Sequence, residues 1–148
     1  MNIIARLVGI TAVLFALVGC SGINAPNIPS FLASDNLTRI EVINDTTGQK
    51  GLASKELDNL NELLNTLHLG DITADSRADA PEPTASVYTI VASDQAGVVW
   101  TVRVLNAPES NRVYISDAIH PANSGIYPLK QSIKSDDLAQ FIHKYPAS

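Results

Sequence analysis

Two segments of alternating apolar and polar residues, joined by a tight turn, restrict the possible folds of this chain more than any other feature. Segments 86–94 (SVYTIVASD) and 98–106 (VVWTVRVLN) flank the tripeptide Gln95-Ala96-Gly97. Asp94 and Gly97 suit the first and fourth positions of a type I turn, with Gly97 in the left-handed backbone region. The pattern therefore predicts a β-hairpin with a three-residue loop and a bulge.

The register of this hairpin follows from the face that it buries. The predicted pairs are Asp94 with Val98, Ala92 with Trp100, Ile90 with Val102, and Tyr88 with Val104. Successive residues of a strand point to opposite faces, so these pairs form one largely apolar face, which we expect to be the core. The other face is partly apolar and either contacts a partner or lies under a helix or loop; its apolar members are Val87, Val91, Val99 and Leu105.

The segments around the hairpin predict one further strand and two helices. Residues 37–44 (LTRIEVIN) alternate and are rich in Ile and Val, which is typical of a strand. A helix is expected to begin at Ser54 as its N-cap and to end at Gly70. A final helix is expected to follow Ser135 as its cap. The predicted apolar stripes are Leu57, Leu60, Leu64 and Leu67 in the first helix and Leu138, Phe141, Ile142 and Tyr145 in the second.

The remaining segments complete the predicted domain over residues 37–148. Residues 71–84 are polar and contain prolines, which indicates a loop, and residues 112–116 predict a third antiparallel strand. Residues 126–132 (IYPLKQS) predict an edge strand, because Pro128 cannot donate to a ladder. The predicted fold class is α+β: an antiparallel sheet of about four to five strands with two helices packed on one face, in the order β-α-β-β-β-(β)-α.

The N-terminal residues predict an export signal. Arg6 precedes an apolar run of twelve residues, from Leu7 to Val18, that is interrupted only by Gly9 and Thr11. This length is typical of a signal peptide, whereas a membrane-spanning helix needs about 20 apolar residues. A polar segment with two prolines follows, so residues 1–19 are interpreted as a signal peptide.

The segment Leu17-Val18-Gly19-Cys20 resembles the lipobox of bacterial lipoproteins. The resemblance covers residues 1–21 and rests on the apolar Leu17, the small Gly19, the cysteine and the apolar run before them. It implies cleavage between Gly19 and Cys20, with diacylglycerol on the Cys20 thiol. Because Cys20 is the only cysteine, no disulfide can form within the chain.

Residues 20–36 are interpreted as the lipidated cysteine and a flexible tether rich in Ser, Asn, Pro and Gly. Phe31 and Leu32 within it either pack back on the domain, which we expect, or touch the membrane interface. The resemblance to lipoproteins implies a location in the cell envelope. The anchor would lie on the outer face of the plasma membrane in a cell with one membrane. In a cell with two membranes it would lie in the outer one, since Ser21 stands where an aspartate would retain a lipoprotein in the inner membrane.

Few side chains offer catalytic or metal-binding chemistry. His120 lies between Asp117 and Ser124 in the loop DAIHPANSG, but nearness in sequence does not establish the geometry of a triad. His68 and His143 are expected near helix ends, as surface or capping residues. The carboxylates at positions 71, 75, 79 and 82 do not match the spacing of a calcium-binding loop. We therefore predict no catalytic residue, no cofactor, no metal site and no enzymatic activity.

The charge balance restricts the partners. Nine basic and fifteen acidic residues follow Cys20, and such a negative domain repels nucleic acid. The favoured hypothesis is a membrane-tethered, non-enzymatic interaction module, with membrane lipid as one partner through acylated Cys20 and an envelope protein as another. A small-ligand carrier with a groove between sheet and helices is the alternative. A hydrolase that uses His120 and Asp117 is the third hypothesis.

Overall fold

Six antiparallel strands form the framework of the domain. The computed structural model describes residues 27–32 and 35–148. The strands form one sheet in the order β2-β1-β3-β4-β5-β6. They are β1 (Arg39–Asn44), β2 (Lys50–Ser54), β3 (Tyr88–Ser93), β4 (Val98–Val104), β5 (Glu109–Asp117) and β6 (Gly125–Lys134). The helices are α1 (Leu60–Leu67) and α2 (Ser135–Lys144), with short 3₁₀ turns at Ala74–Ser76 and Pro121–Asn123.

The predicted α+β class is confirmed, but the number and order of the strands differ from the prediction. The described residues follow the order β-β-α-β-β-β-β-α, because a strand, β2, lies between β1 and the first helix. This strand (KGLAS) is short, contains glycine and lacks β-branched residues, so its sequence carries no strand signal. Its glycine has a packing role, since a Cβ on Gly51 would lie 3.0 Å from the Cα of Ile142 in α2.

The predicted hairpin register is confirmed at three pairs and wrong at the fourth. The confirmed pairs are Tyr88 with Val104, Ile90 with Val102, and Ala92 with Trp100. Trp100 is fully buried, as expected for the core face. The register shifts by one residue after Ala92, so Ser93 instead of Asp94 lies opposite Val98. Val98 consequently leaves the core face and is 50% exposed.

The hairpin turn depends on the side chain of Asp94. Its Oδ1 atom accepts hydrogen bonds from the backbone N–H groups of Ala96 (2.7 Å) and Gly97 (3.0 Å). The N–H of Asp94 donates to the carbonyl of Gly97. Gly97 has a φ of +142°, a positive value that favours glycine, although it lies outside the left-handed helical region that we predicted.

Helix α1 begins later and ends earlier than predicted. Ser54 is the last residue of β2, and residues 55–58 form a turn that leaves Leu57 half exposed instead of buried. Asn59 holds the N-cap position, where its side chain accepts from the N–H of Ser54 and donates to the carbonyl of Leu52. The helix ends at Leu67, and its C-cap is His68, which adopts the left-handed conformation (φ 53°), in place of the predicted Gly70.

The apolar stripes of both helices lie in the core. The buried members are Leu60, Leu63, Leu64 and Leu67 of α1 and Leu138, Phe141 and Ile142 of α2. They form one cluster with Trp100 and the rest of the buried face of the sheet. Ser135 is the first residue of α2 and not its N-cap, a position that Lys134 holds. Burial of these stripes supplies most of the stability of both helices, because helices this short are marginal alone.

The chain itself covers part of each outer edge of the sheet. On β2, Pro146 pairs with Gly51, and the N–H of Leu52 donates to the carbonyl of Tyr145. On β6, which is an edge strand as predicted, Ala78 and Ile126 exchange two backbone hydrogen bonds. Covered edges limit pairing with strands of other molecules.

Residues 27–32 pack on the core, so the packed part of the chain begins before the predicted domain start at Leu37. Ile28 and Leu32 are buried, and the ring of Phe31 stacks on that of Tyr127 with centroids 5.1 Å apart. The expected packing of Phe31 and Leu32 is thus confirmed. Within the predicted tether of residues 20–36, the described residues 27–32 are folded against the domain.

Two valines of β4 test the shifted register. Val102→Ala should lower the free energy of unfolding by about 2–3 kcal/mol, because it removes buried methyl groups and leaves a cavity. Val98→Ala should change it by less than about 0.5 kcal/mol, since Val98 is half exposed. Urea denaturation of both variants measures the difference. Equal losses would show that Val98 lies in the core after all.

A polar contact between the two helices provides a second test. Glu62 of α1 accepts hydrogen bonds from the Tyr145 hydroxyl (2.6 Å) and the Lys144 ammonium (2.9 Å). These bonds stabilise the carboxylate and lower the pKa of Glu62 below its ordinary value. The stability that the contact provides is therefore present above the unfolded-state pKa and is lost as the pH falls through the folded-state pKa.

NMR titration of the Glu62 carboxyl should show this lowered pKa. Tyr145→Phe and Lys144→Met should each raise the pKa towards its ordinary value, since each removes a hydrogen bond to the carboxylate. A pKa of Glu62 that neither substitution changes would mean that the contact does not form in solution.

Candidate functional site

The N-terminal segment and several loops meet at one end of the sheet. This end, which we call the loop end, comprises the turn 55–58 after β2, the turn 94–97 between β3 and β4, and residues 118–124 between β5 and β6. Gly19 and Cys20, the predicted cleavage and lipidation residues, lie outside the described residues. The described residues nearest to them in sequence, 27–32, pack at the loop end.

The buried carboxylate of Asp117 organises the loop between β5 and β6. Asp117 is 2% exposed. Its Oδ1 atom accepts from the backbone N–H groups of Ile119 (3.0 Å) and His120 (2.9 Å), and its Oδ2 atom accepts from the Asn123 side chain (3.2 Å). The backbone N–H of Asp117 donates to the hydroxyl of Ser124. A buried carboxylate with three donors holds this loop in one conformation.

Asn123 connects this loop to the N-terminal segment. Its side-chain amide also donates to the carbonyl of Phe31, at 3.4 Å. The backbone carbonyl of Asn123 accepts from the hydroxyl of Tyr127, whose ring stacks on Phe31. One continuous network therefore joins Asp117, the loop and residues 27–32.

The structure brings Asp117, His120 and Ser124 into one loop but does not align them as a catalytic triad. The Nδ1 atom of His120 lies 4.0 Å from the Asp117 carboxylate, beyond hydrogen-bond distance, and the imidazole is 63% exposed. The Ser124 hydroxyl is occupied as an acceptor for a backbone N–H. A nucleophile needs a base within reach, and no hydrogen bond joins His120 to Ser124 in this described loop. The side chains of Asp117 and Ser124 instead hold the loop by accepting backbone N–H groups.

The other ionisable candidates are dispersed. Across residues 27–32 and 35–148, no three His, Cys, Asp or Glu side chains are placed to hold a metal ion. Of the carboxylates in the 71–84 loop, Asp79 pairs with Arg77 and Glu82 pairs with Arg103. His68 lies at the end of α1, and His143 is exposed on the last turn of α2.

The second face of the sheet is partly covered by the polar loop that follows α1. Ala78 of that loop pairs with β6, Glu82 reaches Arg103 on β4 (3.0 Å), and Ser86 donates to Asp45 (2.6 Å). Of the apolar residues predicted for this face, Val99 is buried, and three are half-buried: Val87, Val91 and Leu105. Of the two alternatives predicted for this face, a partner contact or a covering helix or loop, the structure has a loop over part of it.

Sequence reasoning did not identify the exposed apolar residues of the loop end. Leu57, Val98 and Ile119 are each about half exposed and are the large exposed hydrophobic side chains among the described residues. Leu57 and Val98 were expected in the core, and their exposure depends on the start of α1 and on the register shift. The only available signal for Ile119 was its position in a polar loop.

A groove of about 970 Å³ lies along β2 and α2, at the edge that the C-terminal residues cover. Its charged lining residues are Arg39, Glu41 and Lys50, and His143 adds an imidazole. The side chains of Arg39 and Lys50 both reach Glu41, at 2.8 and 3.4 Å.

No helix in the described part of the chain has the length and apolar character needed to cross a membrane.

The Asp117 network predicts a clear difference between two neighbouring substitutions. Asp117→Ala should lower the free energy of unfolding by about 2–4 kcal/mol, because it leaves buried donors without an acceptor. His120→Ala should cost less than about 0.5 kcal/mol, since its side chain is mostly exposed. Urea denaturation measures both values. A tolerated Asp117→Ala would mean that the loop does not depend on this carboxylate.

Comparisons with known proteins provide one structural likeness. No protein-family model matches the chain, and no curated protein matches it. The chain is similar to the crystal structure named "Putative Lipoprotein from Clostridium perfringens", at 12% sequence identity and a TM-score of 0.42. That likeness covers 72% of this chain and 82% of the other.

Proposed function

We propose that this chain is an envelope lipoprotein whose domain is held at a membrane by lipid on Cys20. The observation that carries the proposal is the apolar run from Leu7 to Val18 that ends in Leu17-Val18-Gly19-Cys20. The location of the sole cysteine supports it, because the domain uses no thiol or disulfide. Each buried CH₂ of an acyl chain contributes about 0.8 kcal/mol, so two or more long chains would hold the protein firmly.

We further propose that the tethered domain acts by binding an envelope partner and not by catalysis. The interior between the sheet and the helices supports a surface role. It is filled by fully buried side chains, among them Trp100, Tyr127 and Leu138. A carrier that held a ligand between sheet and helices would have to displace this packing, at a cost comparable to that of a core cavity.

The groove along β2 and α2 is the contact surface that we propose for a protein partner. It presents Arg39, Glu41 and Lys50 to solvent beside backbone groups of the C-terminal residues. A mixed-charge lining favours a polar partner segment and provides specificity through complementary charges. Lys50→Glu reverses one of these charges, whereas Lys130→Glu makes the same change on the opposite edge strand, β6.

The anchor is tested with the full chain in a bacterial host. The wild-type protein should incorporate a labelled fatty acid and fractionate with membranes, and mass spectrometry should find a mature N-terminus at an acylated Cys20. Cys20→Ser should lose the label and leave the membrane fraction. A wild-type protein that begins at another residue, or that carries no acyl group, would contradict the proposal.

The binding role is tested by affinity capture from detergent-solubilised envelopes. Wild-type protein and the Lys130→Glu variant should retain the same envelope protein, and Lys50→Glu should lose most of it. If no envelope protein is retained reproducibly, the proposed binding role is wrong. If Lys50→Glu retains as much partner as the wild type, the groove is not the contact surface.

A further inference from the structure

We infer that the loop end rests on the bilayer, with the side chains of Val98 and Ile119 among the lipid headgroups. The inference rests on the proposed lipid anchor and adds to it a defined orientation and a lipid-contacting surface. Single exposed hydrophobic residues are ordinary on protein surfaces. Here, however, the large ones exposed among the described residues all lie at the same end: Leu57, Val98 and Ile119.

Val98 begins β4, and Ile119 lies in the loop that follows the neighbouring strand β5. Trp100 pairs with Asp117, and the N–H of Ala118 donates to the carbonyl of Val99 at 3.0 Å. Val98 precedes Val99 and Ile119 follows Ala118, so the two residues flank this last backbone hydrogen bond at the loop end. Both side chains are about half exposed there.

The same end receives the chain that leads to Cys20. Asn123, four residues after Ile119, donates to the carbonyl of Phe31, and the Phe31 ring stacks on Tyr127 near the start of β6. The packed segment begins with Ile28. The predicted anchor is therefore connected to the side of the domain that carries the exposed apolar residues.

The length of the chain between Cys20 and Ile28 limits which end of the domain can reach the bilayer. Cys20 precedes Ile28 by eight residues, which span at most about 26–29 Å when fully extended. A domain of this size is about 35 Å across, as its expected radius of gyration is about 14 Å. The linking residues are too few to pass around the domain, so the opposite end, with the β1–β2 turn 45–49, cannot rest on the bilayer.

The charges at the loop end favour a bilayer without net charge over an anionic one. The ionisable side chains on its turns are Lys55, Glu56, Asp58, Asp94 and His120. Acidic groups outnumber basic ones, so anionic lipids would repel this end. Insertion then depends on apolar contact and on the tether, and a phosphatidylcholine surface is the appropriate probe.

The orientation is measured on the mature chain, residues 20–148, with the Cys20 thiol coupled to a maleimide phospholipid in small phosphatidylcholine bicelles. This coupling makes the test independent of processing in the cell, so a failure of natural acylation and a wrong orientation are distinguishable. A headgroup spin label in the bicelle should broaden the amide signals of residues 96–98 and 118–120 several-fold more than those of residues 46–48.

Two variants complete the test. The double substitution Val98→Asp with Ile119→Asp should remove most of this excess broadening, whereas Thr46→Asp at the opposite end should leave it unchanged. Val98 and Ile119 are half exposed, so the double variant should keep the wild-type unfolding transition within about 1 kcal/mol. If that variant is unfolded, the wild-type broadening pattern alone decides the orientation.

Equal broadening at the two ends, or stronger broadening at residues 46–48, would overturn the inference. Sedimentation of the mature chain without lipid tests whether a second copy of the chain, and not the bilayer, covers Val98 and Ile119. A monomer supports the bilayer as occupant. A dimer that the double substitution dissociates would show that a second copy covers Val98 and Ile119, and would also overturn the inference.

Discussion

The packing of residues 27–32 against the loop end is the contact on which the functional interpretation of this structure depends. Phe31 stacks on Tyr127, and Asn123 bonds both the Phe31 carbonyl and the buried carboxylate of Asp117. Without this contact the domain could take any orientation at the end of a long tether. With it, the chain leaves the domain at a defined place, and the distance to Cys20 becomes short enough to restrict which surface would meet a membrane if Cys20 carries the proposed lipid.

The sheet provides the rigid frame for that contact. Its buried face forms one cluster with the stripes of both helices, and Trp100 is fully buried in that cluster. Both outer edges carry pairing segments from the same chain, Ala78 on β6 and Pro146 on β2. Edges that are already paired protect the domain from strand-to-strand association with other copies.

Sequence reasoning worked best where burial and local pattern agree. The hairpin register away from its turn, the core position of Trp100 and the buried positions of α2 follow from alternation and helical spacing alone. The prediction failed at strand β2, where Gly51 is required by the approach of Ile142 and the segment has no strand pattern of its own. Tertiary contact decided that element, as it commonly does for short strands.

The errors around the candidate site have a common physical cause. A register shift of one residue at the β3–β4 turn moved Val98 from the core to the surface, and a later start of α1 did the same for Leu57. Spacing along the chain shows neither where a strand shifts its register nor where a helix begins. The pairing of the strands decides the first, and the capping contacts of Asn59 decide the second. The role of Asp117 was likewise hidden: proximity to His120 suggested catalysis, whereas the carboxylate binds backbone N–H groups.

Observation of the Phe31 ring in solution tests the central contact most directly. NMR of the mature chain should show nuclear Overhauser effects between the ring protons of Phe31 and Tyr127, whose centroids lie 5.1 Å apart. The Tyr127 ring should also shift the Phe31 proton resonances away from random-coil positions. Random-coil shifts of Phe31 together with no effect to Tyr127 would show that residues 27–32 are not held on the domain, and the account of how it sits at a membrane would be wrong.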